Sequence, residues 1–412
     1  MSSQSDIPKR SFLSGARTPP HIITLVLLAG TSVMTMNIFL PVLPQIGIAL
    51  QTTPAVAQYV LTLFLGATAI AQLFVGPMSD RFGRRPVLLV SGVIFMIATL
   101  ICYVAPTIEI LLAGRVLQAS SAAAIALSRA IIRDLFDRSR AASMIGYVTM
   151  AMAVLPMITP MLGGYVGALY GWRAPFLVLL AVSAAMLLII YFDLGETHEP
   201  VRNPVSQQMA DYVSLLKEPA IWGYLLCATF ASGAFFAFLG GAPFIASNVL
   251  GMTPDRLGLY LGVVAIGYMA GNFISGRFSE RIGIEWMMVL GGLICTIGAS
   301  LILLLMTLLT PSPAFLFFPM CLVGLGNGMT LPNANAGAVS VRPSLAGSAS
   351  GLGGFLQIGG GAALAALAGG LITVSNAGVP LYFIMTGTSL AGAFVAVLML
   401  WYSRHAPVAA VE

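Results

Sequence analysis

The chain has 412 residues, 58% of them hydrophobic and only 8% charged, with a net charge of +5 and a mean hydropathy of +0.95. Soluble domains carry about 25% charged residues, and a soluble fold of this size cannot hide so much apolar surface, so lipid is the solvent for most of it. This excludes a soluble enzyme and a nucleic-acid partner; the basic excess is a topology signal.

Residues 1–20 are polar, with Lys9, Arg10 and Arg17. They lack the short apolar core and small-residue cleavage site of a secretory signal, and read as a cytosolic tail. A helical span needs roughly 20 apolar residues, and twelve such runs follow. Span 1 (22–48) holds Asn37 and Phe39 just before Leu40-Pro41; span 2 (55–78) holds Gln58, Tyr59, Phe64 and Gln72. Next comes Gly76-Pro77-Met78-Ser79-Asp80-Arg81-Phe82-Gly83-Arg84-Arg85-Pro86, whose dense charge cannot lie in hydrocarbon. It is a tight aqueous loop before span 3 (86–106).

Span 4 (108–132) contains Arg115, the deepest charge in the chain, and Gln118. A charge at the bilayer centre costs at least about 2.5–3.5 kcal/mol, so Arg115 faces the bundle interior, bound either to a guest or to neighbouring helices. Glu109 lies six residues earlier, roughly 9 Å up the axis, which is far for a direct pair. Span 5 (141–168) starts with Tyr147 near its first turns and carries Pro156, Pro160, Gly163 and Gly164. Proline removes a helical hydrogen bond and glycine lets another helix approach. Span 6 (174–192) ends the first half.

The longest connection, 193–218, holds Asp193, Glu196, Glu199, Asp211 and Glu218. It reads as a cytosolic linker between two six-helix bundles, 21–192 and 219–403. Span 7 (220–248) brings Phe235, Phe236 and Phe238; span 8 (257–278) brings Tyr268 and Asn272 and runs into Gly276-Arg277-Phe278-Ser279-Glu280-Arg281-Ile282-Gly283, a weaker copy of the first loop. Spans 9 (286–309), 10 (313–340), 11 (346–373) and 12 (379–402) complete the second half before a tail at 404–412. A loop repeated once per half points to two fused halves, an architecture of secondary transporters.

With the N-terminus in the cytosol, that side holds Lys9, Arg10, Arg17, Arg81, Arg84, Arg85, Arg133, Arg138, Arg140, Arg202, Lys217, Arg277, Arg281, Arg342 and Arg404; the other holds Arg173 and Arg256. The bias places both termini in the cytosol. The three histidines lie at span ends or in loops and the four cysteines inside apolar runs. No nucleophile–base spacing, metal-ligand cluster or nucleotide-binding P-loop accompanies them. The reading is therefore no enzyme, no metal and no cofactor. Of the interior polar groups, Asn37, Tyr59, Arg115, Gln118, Tyr147, Tyr268 and Asn272, with Phe39, Phe64, Phe235 and Phe236, form a candidate cavity for a neutral, partly lipophilic guest.

These motifs resemble the major facilitator superfamily, and within it the twelve-span drug:proton antiporters of the bicyclomycin-resistance and chloramphenicol-efflux group. The resemblance rests on Gly76 to Arg85, on Arg115-Val116-Leu117-Gln118 (with Ala119 where glycine is usual), on Arg133-Asp134, and on Pro160-Met161-Leu162-Gly163-Gly164. Leu331-Pro332-Asn333-Ala334-Asn335, Ala346-Gly347-Ser348-Ala349-Ser350 and Phe355-Leu356-Gln357 extend it. It implies an all-α membrane fold of two bundles rocking about a central cavity in the bacterial inner membrane, acting as a monomer. It further implies export of small lipophilic compounds driven by the proton gradient. In that scheme Asp80, Arg81, Arg84 and Arg85, flanked by Gly76 and Gly83, gate the cytosolic side, with Asp80 holding the halves together when the protein faces outward. The group usually carries an acid in span 1 where this chain has Asn37. An amide does not titrate, so export or facilitated passage of an endogenous metabolite with weak proton coupling is the alternative, and a non-transporting sensor a second one.

Overall fold

The computed structural model describes residues 20–135, 138–197, 205–342, 345–372, 376 and 378–405. Residues 1–19 and 406–412 of the tails and 198–204 of the linker fall outside it. In hydrocarbon every backbone N–H and C=O must find a partner within the protein, and a continuous helix is the simplest solution. The chain accordingly folds into α1 (Ile22–Asn37), α2 (Leu43–Ala49), α3 (Pro54–Phe82), α4 (Arg84–Val104), α5 (Ile108–Gln118), α6 (Ala122–Leu135), α7 (Arg138–Tyr170) and α8 (Ala174–Asp193). The linker contributes α9 (Val205–Leu216). The second half is α10 (Pro219–Asn248), α11 (Pro254–Ile282), α12 (Ile284–Leu308), α13 (Pro313–Val341), α14 (Ala346–Leu371) and α15 (Val379–His405).

Among the described residues, eleven helical segments are long and apolar enough to cross a membrane when α1 is joined to α2 and α5 to α6. The twelfth span is α7, with its apolar stretch at Val154–Tyr170. Spans 1 and 4 are broken. Pro41 and Pro44 deny donors after Asn37, and a 3-10 turn at Leu40–Val42 joins α1 to α2. Ala119–Ser121 forms a similar turn between α5 and α6.

The internal repeat is sharp at one pair of spans. Both α3 and α11 are 29 residues long, and each opens on Thr-Pro, with Thr53 and Thr253 as N-caps. Each closes on a glycine with positive φ, Gly83 at 93° and Gly283 at 92°. A side chain strains this left-handed backbone, so glycine lets the chain turn at once into the next helix.

The halves meet along two seams, α3 against α14 and α7 against α11, and α10 also touches α2, α3 and the turn after α1. We call the face that carries Arg81 to Arg85 the basic face and the opposite one the far face. Toward the far face one apolar core spans both halves, from Ile38, Phe64 and Trp172 to Phe238, Leu257 and Phe317. Toward the basic face the core divides. Leu28, Leu127 and Ile190 belong to one cluster in the first half; Tyr224, Met288 and Leu352 belong to another in the second. The protein is thus closed at the far face and parted toward the basic face except along α3, where Leu73 packs on the second-half cluster and Gln72 lies against Gly354 of α14.

Candidate functional site

Where the fused core begins, the halves enclose a cavity of about 10 Å³, room for about one water. It is lined by Asn37, Pro156 and Pro160 from the first half and Phe235, Phe238, Leu239, Leu261, Val264 and Ala265 from the second. Asn37 is its one polar side chain. It ends α1, and its Nδ2 donates to the Val33 carbonyl at 2.8 Å. The amide keeps a second N–H and its carbonyl oxygen for a guest.

The structure narrows the cavity expected from sequence. Asn37 and Phe235 line it. Arg115, Gln118, Phe39 and Phe64 do not: all four are at most 1% exposed and lie behind the wall in the first bundle. Tyr59 is 43% exposed, on a face of α3 shared with Leu63, Ile70 and Phe74; this apolar stripe faces outward. Phe236 packs against Gly361 of α14, where a methyl group would strike its ring. Tyr268 and Asn272 sit one turn apart on α11, with Asn272 Nδ2 donating to the Tyr268 carbonyl at 2.8 Å. Both are half-buried, and neither lines the cavity. The Tyr147 side chain lies outside the described residues. Phe238, one of the span-7 aromatics marked by sequence, lines the cavity too, and Leu239, Leu261, Val264 and Ala265 line it with no sequence mark beyond helical spacing.

Behind the wall, Arg115 is a knot among three spans. Because α1 ends at Asn37, the Thr35 carbonyl in its last turn has no intrahelical donor; Arg115 Nη1 donates to it at 3.2 Å. Arg115 Nε donates to the Val60 carbonyl of α3 at 2.8 Å, and Nη1 also to Gln118 Oε1 at 2.6 Å. Gln118 Nε2 then donates to Thr99 Oγ1 of α4 at 2.8 Å. The Phe39 and Phe64 ring centroids lie 4.1 and 4.4 Å from the guanidinium carbon. Two aromatic faces stabilise a desolvated cation in the way a carboxylate would, but without neutralising it. The knot explains the break in span 1: the guanidinium takes over a carbonyl that continuous helix would have used.

At the basic face the expected loop is helix on both sides of Gly83, the last turn of α3 and the first of α4, and these turns close around the buried Arg84. It pairs with Asp80 at 2.6 Å and with Asp134 at the end of α6 at 3.0 Å, and its Nη1 also donates to Ser79 Oγ. Glu196 of the linker completes the arrangement. Its carboxylate accepts from the backbone N–H of Arg84 at 2.9 Å and of Arg85 at 3.2 Å, the first turn of α4, where the helix dipole favours an anion. A side chain on Gly83 would collide with this carboxylate. Arg85 Nη2 reaches the Tyr191 carbonyl at 3.0 Å. Asp193 does for α1 what Glu196 does for α4, accepting from His21 N at 2.9 Å and Thr24 Oγ1 at 2.5 Å. The expected bridge from Asp80 to the second half is not made in this conformation; its ion pair stays within the first bundle. Sequence reasoning placed Asp193 and Glu196 in a linker and missed both as helix caps, because their partners lie more than 100 residues away.

The seams depend on small residues. Gly163 meets the Ile38 carbonyl within the first half, whereas Gly164 meets Pro254 and Gly258 meets Pro160 across the halves; a methyl group at any of the three would run into backbone. Pro156 and Pro160 stay inside the single helix α7 and line the cavity. On the other seam, Gln58 of α3 enters the second half between Gly240 and Gly369, and its Nε2 donates to the Ala365 carbonyl. Among the described residues no three His, Cys, Asp or Glu side chains converge to hold a metal.

The sequence profile of the Major Facilitator Superfamily matches residues 25–360. The chain belongs to this superfamily. It is a multi-pass membrane transporter, not an enzyme, and its substrate is a small molecule. It is 31% identical over 323 residues to the chloramphenicol resistance protein of Pseudomonas aeruginosa, covering 76% of this chain and 75% of that one. It is 27% identical over 357 residues to the bicyclomycin resistance protein homologue of Haemophilus influenzae, covering 84% and 88%. A crystal structure of a bacterial homologue of the human lysosomal transporter Spinster, in an inward-facing and unoccupied conformation, superposes with a TM-score of 0.72. That match has 18% identity and covers 93% of this chain and 96% of the other. The last likeness concerns the fold.

Proposed function

We propose that this transporter exports small, lipophilic, uncharged compounds across the bacterial inner membrane by alternating access, with its basic face and both termini in the cytosol. The observation that carries this reading is the chemistry of the wall where the halves meet, eight apolar residues and a single amide. In this conformation the wall closes on room for about one water, and it takes a guest when the halves part there. Such a wall rewards burial of apolar surface and orients a guest through one hydrogen bond. The names of the relatives, resistance proteins for chloramphenicol and bicyclomycin, support drug export. With the basic face in the cytosol, the parted region lies on that side, and loading from there fits an exporter. The test is a susceptibility panel on bacteria overexpressing the chain. Resistance to neutral lipophilic drugs that disappears with Asp80→Asn at matched membrane levels is the expected result; a panel unchanged by expression refutes the reading.

The energy source is the proton gradient by family resemblance, but Asn37 argues for weak coupling. The amide occupies the cavity position where the group usually has an acid, and all carboxylates of spans 1 to 5 among the described residues lie at span ends. This favours, as a second reading, passage of an endogenous neutral metabolite without tight coupling. Efflux from proteoliposomes with and without a pH gradient separates the two.

A further inference from the structure

We infer that Arg115, a guanidinium without a carboxylate partner behind the cavity wall, sets the charge preference of the transporter: it admits uncharged lipophilic compounds and rejects lipophilic cations of the same shape. This rests on the export reading and deepens it.

Arg115 is fully buried. Its partners are two backbone carbonyls, the Gln118 amide and the Phe39 and Phe64 rings. All are neutral, and Nη2 has no partner at all. Among the described residues, none of its contacts is a carboxylate. The nearest acid in its own span is Glu109, in the first turn of α5 and exposed at the far face. Aromatic faces and carbonyl dipoles lower the energy of the guanidinium but leave its unit charge uncancelled. Arginine does not escape by losing its proton.

The charge also sits close to the guest. Thr35, whose carbonyl Arg115 holds, and Phe39, whose ring it covers, flank Asn37 by two residues on either side, and Asn37 lines the cavity. Two helical residues rise about 3 Å; added to the 3.2 Å hydrogen bond to Thr35 and to the reach of the Asn37 amide and its contact with a guest, about 3–4 Å, this puts the guanidinium on the order of 10 Å from a guest on Asn37. At that separation and an effective dielectric constant near 20, two unit charges repel by enough to weaken binding about 15-fold. The span-1 position that could cancel the field carries an amide. A helix-tying role alone does not favour one guest charge over another; the uncancelled charge does.

Methyltriphenylphosphonium and triphenylphosphine oxide share three phenyl rings and differ in replacing P–CH3 (cationic) by P=O (neutral). Each is used to displace radiolabelled chloramphenicol from the full chain in lipid nanodiscs, corrected for uptake by empty discs. We expect the parent to prefer the oxide by about 10-fold or more. Asn37→Asp, which places a countercharge beside Arg115, should move the ratio at least about 10-fold toward the cation. Arg115→Lys should keep the parent's ratio even where overall affinity falls, and Arg115→Met should bring it near one. Should Arg115→Met fail to fold, Asn37→Asp carries the test alone. Equal binding of the two probes by the parent, or an Asn37→Asp ratio unchanged from the parent, overturns the inference and leaves export intact. Failure of chloramphenicol and both probes to bind overturns the export reading and the inference together.

Discussion

Gly164→Ala is expected to wedge open the far face. Gly164 on α7 lies against the Pro254 carbonyl of α11, and Gly258 of α11 lies against the Pro160 carbonyl of α7. This reciprocal contact joins the two halves. A methyl group here meets backbone, which cannot rotate away as a side chain can. Overpacking of this kind costs about 1–3 kcal/mol, and every 1.4 kcal/mol is tenfold in an equilibrium. The cost applies only while the seam is closed, so the population should move about 5- to 150-fold toward states open at the far face. Gly163→Ala is the control. Its methyl group meets the Ile38 carbonyl inside the first half, a contact that rocking of the halves does not relieve, so it should lower stability without choosing a state. Spin labels on Glu109→Cys and Thr310→Cys, both exposed at the far face of opposite halves, report the opening as a distance distribution. Cys102, Cys227 and Cys295 are buried and stay unlabelled, and the half-buried Cys321 is replaced by alanine in every variant. An unchanged distribution in a well-folded Gly164→Ala protein, or the same shift from Gly163→Ala, refutes the reasoning.

Three further outcomes follow from particular contacts. Asp80→Asn leaves Arg84 paired with Asp134, and the Asp80 carboxylate is 43% exposed. Stability should therefore fall by no more than about 1 kcal/mol while export in whole cells is lost, and equal efflux at matched expression contradicts this. Glu196→Gln removes the anion from the first turn of α4 and should cost about 1 kcal/mol; thermal denaturation in detergent measures it, and an unchanged midpoint rules the cap unimportant. Gln58→Leu removes the donor to Ala365 across the α3–α14 seam, a bond worth about 1 kcal/mol. The spin-label distances should shift about fivefold in population toward far-face opening, and no shift means the amide is not a latch.

The sequence alone determined that the chain lives in lipid, spans it about twelve times and consists of two related halves. Apolar run length and loop charge are local properties, and hydrocarbon leaves the backbone little choice but helix. The Thr-Pro openings at 53 and 253 and the Gly83 and Gly283 stops are likewise visible as a spacing. Arg115 was marked by its cost in lipid. Whether it touched a guest or tied helices depended on where α1 stopped, and only packing placed Thr35, Phe39, Val60 and Phe64 around one guanidinium. The cavity wall was illegible for the same reason: Leu261, Val264 and Ala265 are ordinary apolar residues until α11 turns one face toward α7. Glu196 and Asp193 read as linker acids because a carboxylate caps whatever helix end lies beside it, and that neighbour is set by the tertiary fold. The closed far face rests on Gly164, Gly258 and Gln58, whose partners lie in the opposite half; contacts between halves carry no local signature, so tertiary structure alone decided the state in which the protein stands.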